Sequence, residues 1–290
     1  MRKDRPSSTA ALVAALRALY TALPEPYRLA SDPLASALVP FPMAIPASVV
    51  AHAPWAAAAV HHGLGLATFG LSHYIALRTR AIDDALRDAV RLGAEQLVVL
   101  GAGLDNRALR LDELAGVRAF EIDYPSTQRY KVARLAALAS PPPPKARSLT
   151  RVPLDFETDR LDRVLLTHGF DPQARTFWIW EGVVVYLTRE AIASTLAAVS
   201  ALSAAGSRIA LTYTPKRMAV SWALPLALRA LELMGEPFRS PLSPDEMDGI
   251  LRAAGLSRIT DESSVDWAQR YWPGLGDSRP IERLAIAEKR

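Results

Sequence analysis

The sequence predicts an α/β protein: a doubly wound, mostly parallel seven-stranded sheet with an N-terminal helical cap and a helical lid insertion. Three observations carry this reading. Seven short apolar runs follow one another after residue 95, helical patterns separate most of them, and the first run ends in a glycine-rich turn. Short apolar runs alternating with helices imply strands buried on both faces of a parallel sheet, with the helices packed on either side.

Taken in order, residues 1–94 form the cap and lead-in. Thr9 to Tyr20 reads as an amphipathic helix. The basic start and the Ala/Leu run beside it look like a weak signal peptide, but Arg17 interrupts the run and no small-residue cleavage site follows. Ser31 to Val39 is a weaker helix. Val49 to Leu77 is rich in Ala, Leu and Gly, yet it carries Pro54, His52, His61, His62 and His73. A membrane span would be a cleaner apolar run of about 20 residues, so no span is predicted. Ala81 to Leu92 is a strong helix, acidic early and basic late, leading through Gly93 into the sheet.

The core, residues 95–290, contains the strands. They are expected at Gln96–Leu100, Val117–Ile122, Ser148–Leu154, Thr176–Trp180, Ser207–Tyr213, Leu256–Asp261 and Ile281–Glu288. Helices are expected over Tyr124–Ala139 and Thr188–Ser203, the second with Thr188 as N-cap. Ser243 followed by Glu246 is a capping box with Pro244 at the first helical position, and that helix should end near Gly255. No long helix separates the last two runs, which predicts a closing antiparallel hairpin. The lid insertion spans about 215–240.

Composition narrows the chemistry. The chain has 290 residues, half of them hydrophobic, and no cysteine. Disulfides, thiolate metal sites and a cysteine nucleophile are excluded together. The net charge is +4 with a sequence pI near 9.5, but the arginines are scattered and no basic run alternates with aromatics. Nothing maps a nucleic-acid groove; a mildly basic surface suits an anionic small substrate. No His/Asp/Glu spacing argues for a metal.

The first run closes in Leu100-Gly101-Ala102-Gly103-Leu104-Asp105-Asn106-Arg107. Two glycines let the backbone turn sharply and a ligand approach closely, although a plain strand-to-helix turn has the same composition. The third glycine of a dinucleotide fingerprint is missing. The second run closes in Glu121-Ile122-Asp123, with Asp123 twenty residues after Gly103. An acid at that distance either accepts from both hydroxyls of a ribose or merely caps the next helix. The pair fits S-adenosylmethionine (SAM) better than a nicotinamide cofactor.

Gln96 to Arg107 together with Phe120-Glu-Ile-Asp-Tyr-Pro125 resembles the leucine carboxyl methyltransferase family, in its bacterial O-methyltransferase branch, which includes polyketide-tailoring enzymes. Trp180-Glu-Gly-Val-Val-Val-Tyr-Leu-Thr188, Asp32-Pro33-Leu34-Ala35, Arg78-Thr79-Arg80 with Asp83-Asp84, and Gly235-Glu236-Pro237-Phe238 resemble further family motifs in the same order. The resemblance implies a class I SAM methyltransferase, Rossmann-like in fold, with SAM as cofactor. It implies that Gly101 and Gly103 line the methionine and ribose, that Asp123 holds the ribose, and that Asp155-Phe156 frames the adenine. It also implies Glu181 beside the cofactor and Arg78 on the methionine carboxylate, with Arg80 the alternative register. Read without the family, Arg78 could pair with Asp83 or Asp84, and Glu181 could be a cap. Asn106 and Ala108 depart from the threonine and larger residue that relatives often carry.

The resemblance implies methyl transfer to a carboxylate or hydroxyl of a small molecule, with secondary metabolism as the setting. The alternatives are a SAM-binding scaffold or cyclase, and a protein C-terminal carboxyl methyltransferase. A carboxylate arrives ionised, whereas a phenol, with an ordinary pKa of about 10, needs a base. No residue reads as an obvious base: His168 suits a capping role, and His61-His62 has no partner set. By resemblance, Tyr186 and Tyr213 could orient the acceptor, or simply pack the core. A cytoplasmic protein with no membrane or nucleic-acid partner is expected; no motif specifies an oligomeric state.

Overall fold

Each strand forms where an apolar run lies. The computed structural model describes residues 8–156, 158–216, 239–275 and 281–290. Its strands are β1 (Gln96–Leu100), β2 (Arg118–Asp123), β3 (Ser148–Pro153), β4 (Thr176–Trp180), β5 (Arg208–Tyr213), β6 (Leu256–Ser263) and β7 (Arg283–Lys289). They make one sheet in the order β3-β2-β1-β4-β5-β7-β6, in which β7 alone runs antiparallel to its neighbours. The expected antiparallel closure is present, but a short helix intervenes between β6 and β7. Ser263 and Asp266 form a capping box that starts it, a signal the sequence reading passed over.

The helices are α1 (Ser8–Ala22), α2 (Ala35–Leu38), α3 (Ile45–Ala51), α4 (Ala57–Ala67), α5 (Leu71–Arg91), α6 (Arg107–Arg110), α7 (Pro125–Ala136), α8 (Leu161–Thr167), α9 (Arg189–Ala201), α10 (Pro244–Ala253) and α11 (Ser264–Tyr271). Thr188 caps α9 by accepting from the Ala191 amide, and the Ser243/Glu246 box caps α10. His168 is the C-cap of α8, its Nδ1 lying 2.8 Å from the Val164 carbonyl. Two expectations are corrected. The helix expected over Ser31–Val39 is one turn, α2, because Pro33 and Pro40 bracket it and remove backbone donors. The helix expected from Ala81 starts ten residues earlier, at Leu71, after Gly70 in the left-handed region. Arg78 therefore sits mid-helix on a buried face with Tyr74 and Ile82. No described helix is long and apolar enough to cross a membrane. The lid region lies almost wholly outside the described residues, as do Gly235 to Phe238.

The core lies on both faces of the sheet. Leu97, Val99, Phe177 and Ile179 face α1, α5 and α11; Val98, Leu100, Trp178 and Trp180 face α8, α9 and α10. Alternate residues of β1 and β4 thus feed two cores, which is why these strands read as unbroken apolar runs. Trp178 and Trp180 are fully buried, and truncating such a ring to alanine costs about 3–5 kcal/mol. A third cluster joins Ala14, Leu38, Leu104, Leu109 and Leu135, pinning the N-terminal helices onto the turn after β1.

After β1 the chain continues to β2 and β3 on one side, then crosses to β4 on the other. Such a reversal opens a crevice beyond the carboxyl ends of β1 and β4, where ligands of doubly wound folds bind. Gly101, Asp123 and Glu181 stand at those strand ends.

Candidate cofactor site

The turn after β1 is shaped by its two glycines. Gly101 has φ +67° and Gly103 φ +52°, in the region that penalises side chains. A Cβ on Gly101 would lie 2.5 Å from Val183 Cγ2, so the loop after β4 packs directly on this backbone. A Cβ on Gly103 would lie 3.3 Å from the Ala10 side chain, placing α1 over the turn.

Asp123 ends β2 next to that turn. Its carboxylate accepts from the Gly103 amide and, at 2.5 Å, from the Tyr124 amide. Burial raises its pKa to about 6, against the opposing pull of those two amides and of Lys131. Asp123 is not the cap of α7: the N-cap is Tyr124, whose amide is one of the two donors, and no side chain caps that helix. The leftover acceptor capacity of a carboxylate, which offers about four lone-pair sites, suits a pair of ribose hydroxyls.

Behind the turn lies a buried charge network. Arg107, 1% exposed, donates from Nε to Asp83 Oδ1 at 2.8 Å and from Nη1 to Glu181 Oε2 at 2.8 Å. Its Nη1 also pairs with Asp105, whose other oxygen accepts from the Arg107 amide at 2.7 Å. Arg110 holds Asp83 from the far side at 2.7 Å. Arg78 Nε lies 2.8 Å from Glu181 Oε1, and Arg78 Nη1 lies 3.5 Å from Glu282. Burial would raise the pKa of Glu181, but the guanidiniums of Arg107, Arg78 and Arg17 outweigh it and hold the carboxyl far below its ordinary range. Glu181 is thus a fixed anion, unsuited to accept a proton.

The N-terminal segment is bolted to the same turn. Arg17 donates to the Leu104 carbonyl at 2.5 Å and pairs with Asp32 at 3.2 Å. Asn106 Nδ2 donates to Asp32 Oδ1 at 3.0 Å, which gives the departure at position 106 a partner. Ala108 is buried, and its carbonyl accepts from the Lys145 and Ala146 amides. Beneath the turn, Lys131 donates to the Asp105 carbonyl and pairs with Glu121 at 2.8 Å.

Of the residues singled out from sequence, Gly101, Gly103, Asp123, Arg78 and Glu181 meet at one edge of the sheet. Arg78 pairs with Glu181 and Glu282 rather than with Asp83 or Asp84. Arg80 lies elsewhere, its side chain 39% exposed and paired with Asp84 at 2.9 Å. Asp155 and Phe156 follow β3; the Leu154 amide donates to the Asp123 carbonyl at 2.9 Å, which sets the pair beside Asp123, and Phe156 is half-buried. Tyr186 is half-buried on the turn after β4. Tyr213 is fully buried and its hydroxyl donates to Asp261 at 2.6 Å, so that oxygen is already committed. His61 stacks on His73 with ring centroids 4.2 Å apart, packed against Tyr20 and Trp272. Burial lowers its pKa to about 4, keeping it neutral.

Sequence reasoning missed Arg107, Asp105 and Asp83 as one unit, and missed Tyr74 and Glu282 altogether. The acid-x-base spacing of Asp105 and Arg107 directly after the glycines was the available signal. The residues fit SAM. Asp123, the acid expected on a ribose, stands beside the glycine turn, and Arg78 Nη2 has no acceptor among the described residues while Nε is ion-paired with Glu181 and Nη1 donates to Tyr74. Gly182, φ +67°, stands against that buried guanidinium: a Cβ there would sit 3.5 Å from Nη1. Among the described residues no cluster of His, Asp and Glu could hold a metal ion.

Comparison with known proteins agrees. Residues 10–200 match the model of the leucine carboxyl methyltransferase family. A protein of Mycolicibacterium smegmatis, provisionally named a SAM-dependent methyltransferase, is 38% identical over 224 residues, covering 73% of this chain and 68% of its own. A similarly named protein of Frankia alni is 36% identical over 217 residues, covering 71% and 68%. The crystal structure of a DUF574 family protein from Streptomyces avermitilis superposes over 98% of both chains with a TM-score of 0.63 and 14% identity, a likeness of fold.

Proposed function

The chain belongs to the leucine carboxyl methyltransferase family and is a SAM-dependent methyltransferase, and we propose that its acceptor is an oxygen of a small molecule, a carboxylate in the first instance. Bound SAM supplies a methyl group on a positively charged sulfur, open to in-line displacement by an acceptor oxygen. The chain's own residues bind, orient and exclude water. Asp123 would hold the ribose hydroxyls, Arg78 the methionine carboxylate, and Asp155 with Phe156 the adenine. Gly101 and Gly103 let the backbone approach, and Glu181 keeps Arg78 and Arg107 in register with the turn. Tyr186, on the turn after β4, is the tyrosine we assign to orienting an acceptor, and Tyr213 is the alternative, its hydroxyl donating to Asp261.

The observation that favours a carboxylate is the state of the acids and bases at this edge. Glu181 is locked between two guanidiniums and Tyr213 is hydrogen-bonded to Asp261, while His168 caps α8 at the opposite edge of the sheet, near the starts of β1 and β2. Among the described residues the site offers strong positioning and little proton transfer, which suits a nucleophile that arrives already ionised. A tailoring role in secondary metabolism is consistent with the family branch the sequence resembles.

Incubation with methyl-labelled SAM and a panel of carboxylic acids and phenols tests this. A base-labile methyl ester is the expected product. A base-stable aryl ether would replace the carboxyl assignment with a hydroxyl one. Tight binding of S-adenosylhomocysteine without transfer to any member of a broad panel would favour the non-catalytic reading.

A further inference from the structure

Tyr74 and Glu282 form a buried contact pair beside Arg78. β7 runs antiparallel to β5, with Arg283 level with Tyr213, so β7 begins at the same edge where β1, β4 and β5 end. Glu282, the residue before β7, is thereby delivered to the candidate site from the far end of the chain. It is 9% exposed. The Tyr74 hydroxyl donates to its carboxylate and accepts from Arg78 Nη1 at 2.8 Å. Tyr74 is one helical turn before Arg78 on α5, and its ring lies 5.0 Å below the guanidinium carbon. Trp267 of α11 stacks on that ring, with centroids 6.4 Å apart. Burial keeps the Tyr74 phenol protonated, pushing it well above its ordinary pKa.

A guanidinium has five donors in a rigid fork. Here the Glu181 carboxylate lies 2.8 Å from Nε as an ion pair, and Tyr74 with Glu282 accepts from Nη1. Two edges of the fork are thus fixed from opposite sides, and Nη2 is the edge that has no acceptor among the described residues. A free arginine samples many rotamers, and fixing one before binding removes that cost from the binding step.

We propose that Tyr74 and Glu282 are positioning residues of the donor site: they fix Arg78 so that its remaining edge is presented to the methionine carboxylate of the cofactor. This rests on the assignment of Arg78 to that carboxylate. Tyr74 and Glu282 meet the proposed ligand-binding residues only through Arg78, so they act through it. Their effect is therefore confined to ligands that carry the carboxylate.

Calorimetric titration of the full chain with S-adenosylhomocysteine and with 5′-methylthioadenosine tests this, because the second ligand has the nucleoside and sulfur but no amino-acid end. Tyr74→Phe and Glu282→Gln should each weaken S-adenosylhomocysteine binding by about tenfold, the order expected for hydrogen bonds to charged groups. Both should leave 5′-methylthioadenosine binding unchanged. Equal loss of both ligands would overturn the proposal by showing a general packing role. Unchanged binding of both would overturn it too. Tighter S-adenosylhomocysteine binding in Glu282→Gln would make Glu282 a competitor for Arg78 and likewise contradict it. If the unaltered chain binds neither ligand, it is the cofactor reading itself that fails.

Discussion

Arg107 and Glu181 join two strand ends of the sheet: the guanidinium after β1 donates at 2.8 Å to the carboxylate that follows β4. The two residues flank the crevice opened by the strand-order reversal, and both are nearly or fully buried. Their pairing sets the spacing between the glycine turn and the loop that carries Gly182. Substituting Arg107 by Met would leave Asp83, Asp105 and Glu181 short of a buried partner. Breaking a buried ion pair from one side costs about 3–5 kcal/mol. Urea denaturation of Arg107→Met should show a loss of that order; a loss under 1 kcal/mol would mean the network is not a stabilising unit.

The Asp123 carboxylate should carry the ribose. Asp123→Ala should weaken S-adenosylhomocysteine binding by about 1.5–3 kcal/mol, the range for hydrogen bonds to a charged group. Unchanged affinity would remove the residue from the site.

Asp123 also predicts a pH dependence. Its folded pKa of about 6 lies above the ordinary aspartate value of 3.8. Its contribution to ligand-free stability is therefore complete below pH 3.8 and is lost as pH rises through about 6. Ribose hydroxyls donate to the anion, so binding should lower that pKa. Near pH 6, titration in buffers of different ionisation enthalpy should then show proton release on S-adenosylhomocysteine binding. Asp123→Asn should abolish that release; release that persists in the variant would assign it to another group.

How much of this was legible in the sequence follows from what each signal encodes. Val98 and Trp178 sit in runs buried on both faces, so apolar runs located β1 and β4 to the residue. The caps at Thr188 and Ser243 are local hydrogen-bond patterns and were readable for the same reason. The start of α5 was not, because Gly70 and the polar His73 hide a helix whose buried face is set by long-range packing. Glycines and Asp123 marked the site; Glu282 did not. It reaches Arg78 only through the reversed direction of β7, and no pattern within a few residues of position 282 records that pairing.

The two arginines of the helix before β1 should separate cleanly. Arg78 is buried between Glu181 and Glu282, whereas Arg80 pairs with Asp84 near solvent. Arg78→Lys loses the fork geometry and should weaken S-adenosylhomocysteine binding by tenfold or more, roughly 1.4 kcal/mol. Arg80→Lys should leave affinity within about twofold, as an exposed pair contributes about 0–1 kcal/mol. The reverse ranking would shift the motif by two residues.

Gly101→Ala should impair both fold and site. The new methyl would meet Val183 Cγ2 at 2.5 Å in a backbone of positive φ. Thermal unfolding should fall, and Val183→Ala in the same chain should recover part of the loss by removing the clash while the φ strain stays. No recovery would mean the turn is limited by backbone strain alone.

We place SAM in the crevice at the ends of β1, β2 and β4. Calorimetric titration of the purified chain with S-adenosylhomocysteine, with NAD as control, tests it most directly. Micromolar binding of S-adenosylhomocysteine and none of NAD are expected, with S-adenosylhomocysteine binding weakened by about 1.5–3 kcal/mol in Asp123→Ala. Binding of NAD without S-adenosylhomocysteine would contradict it.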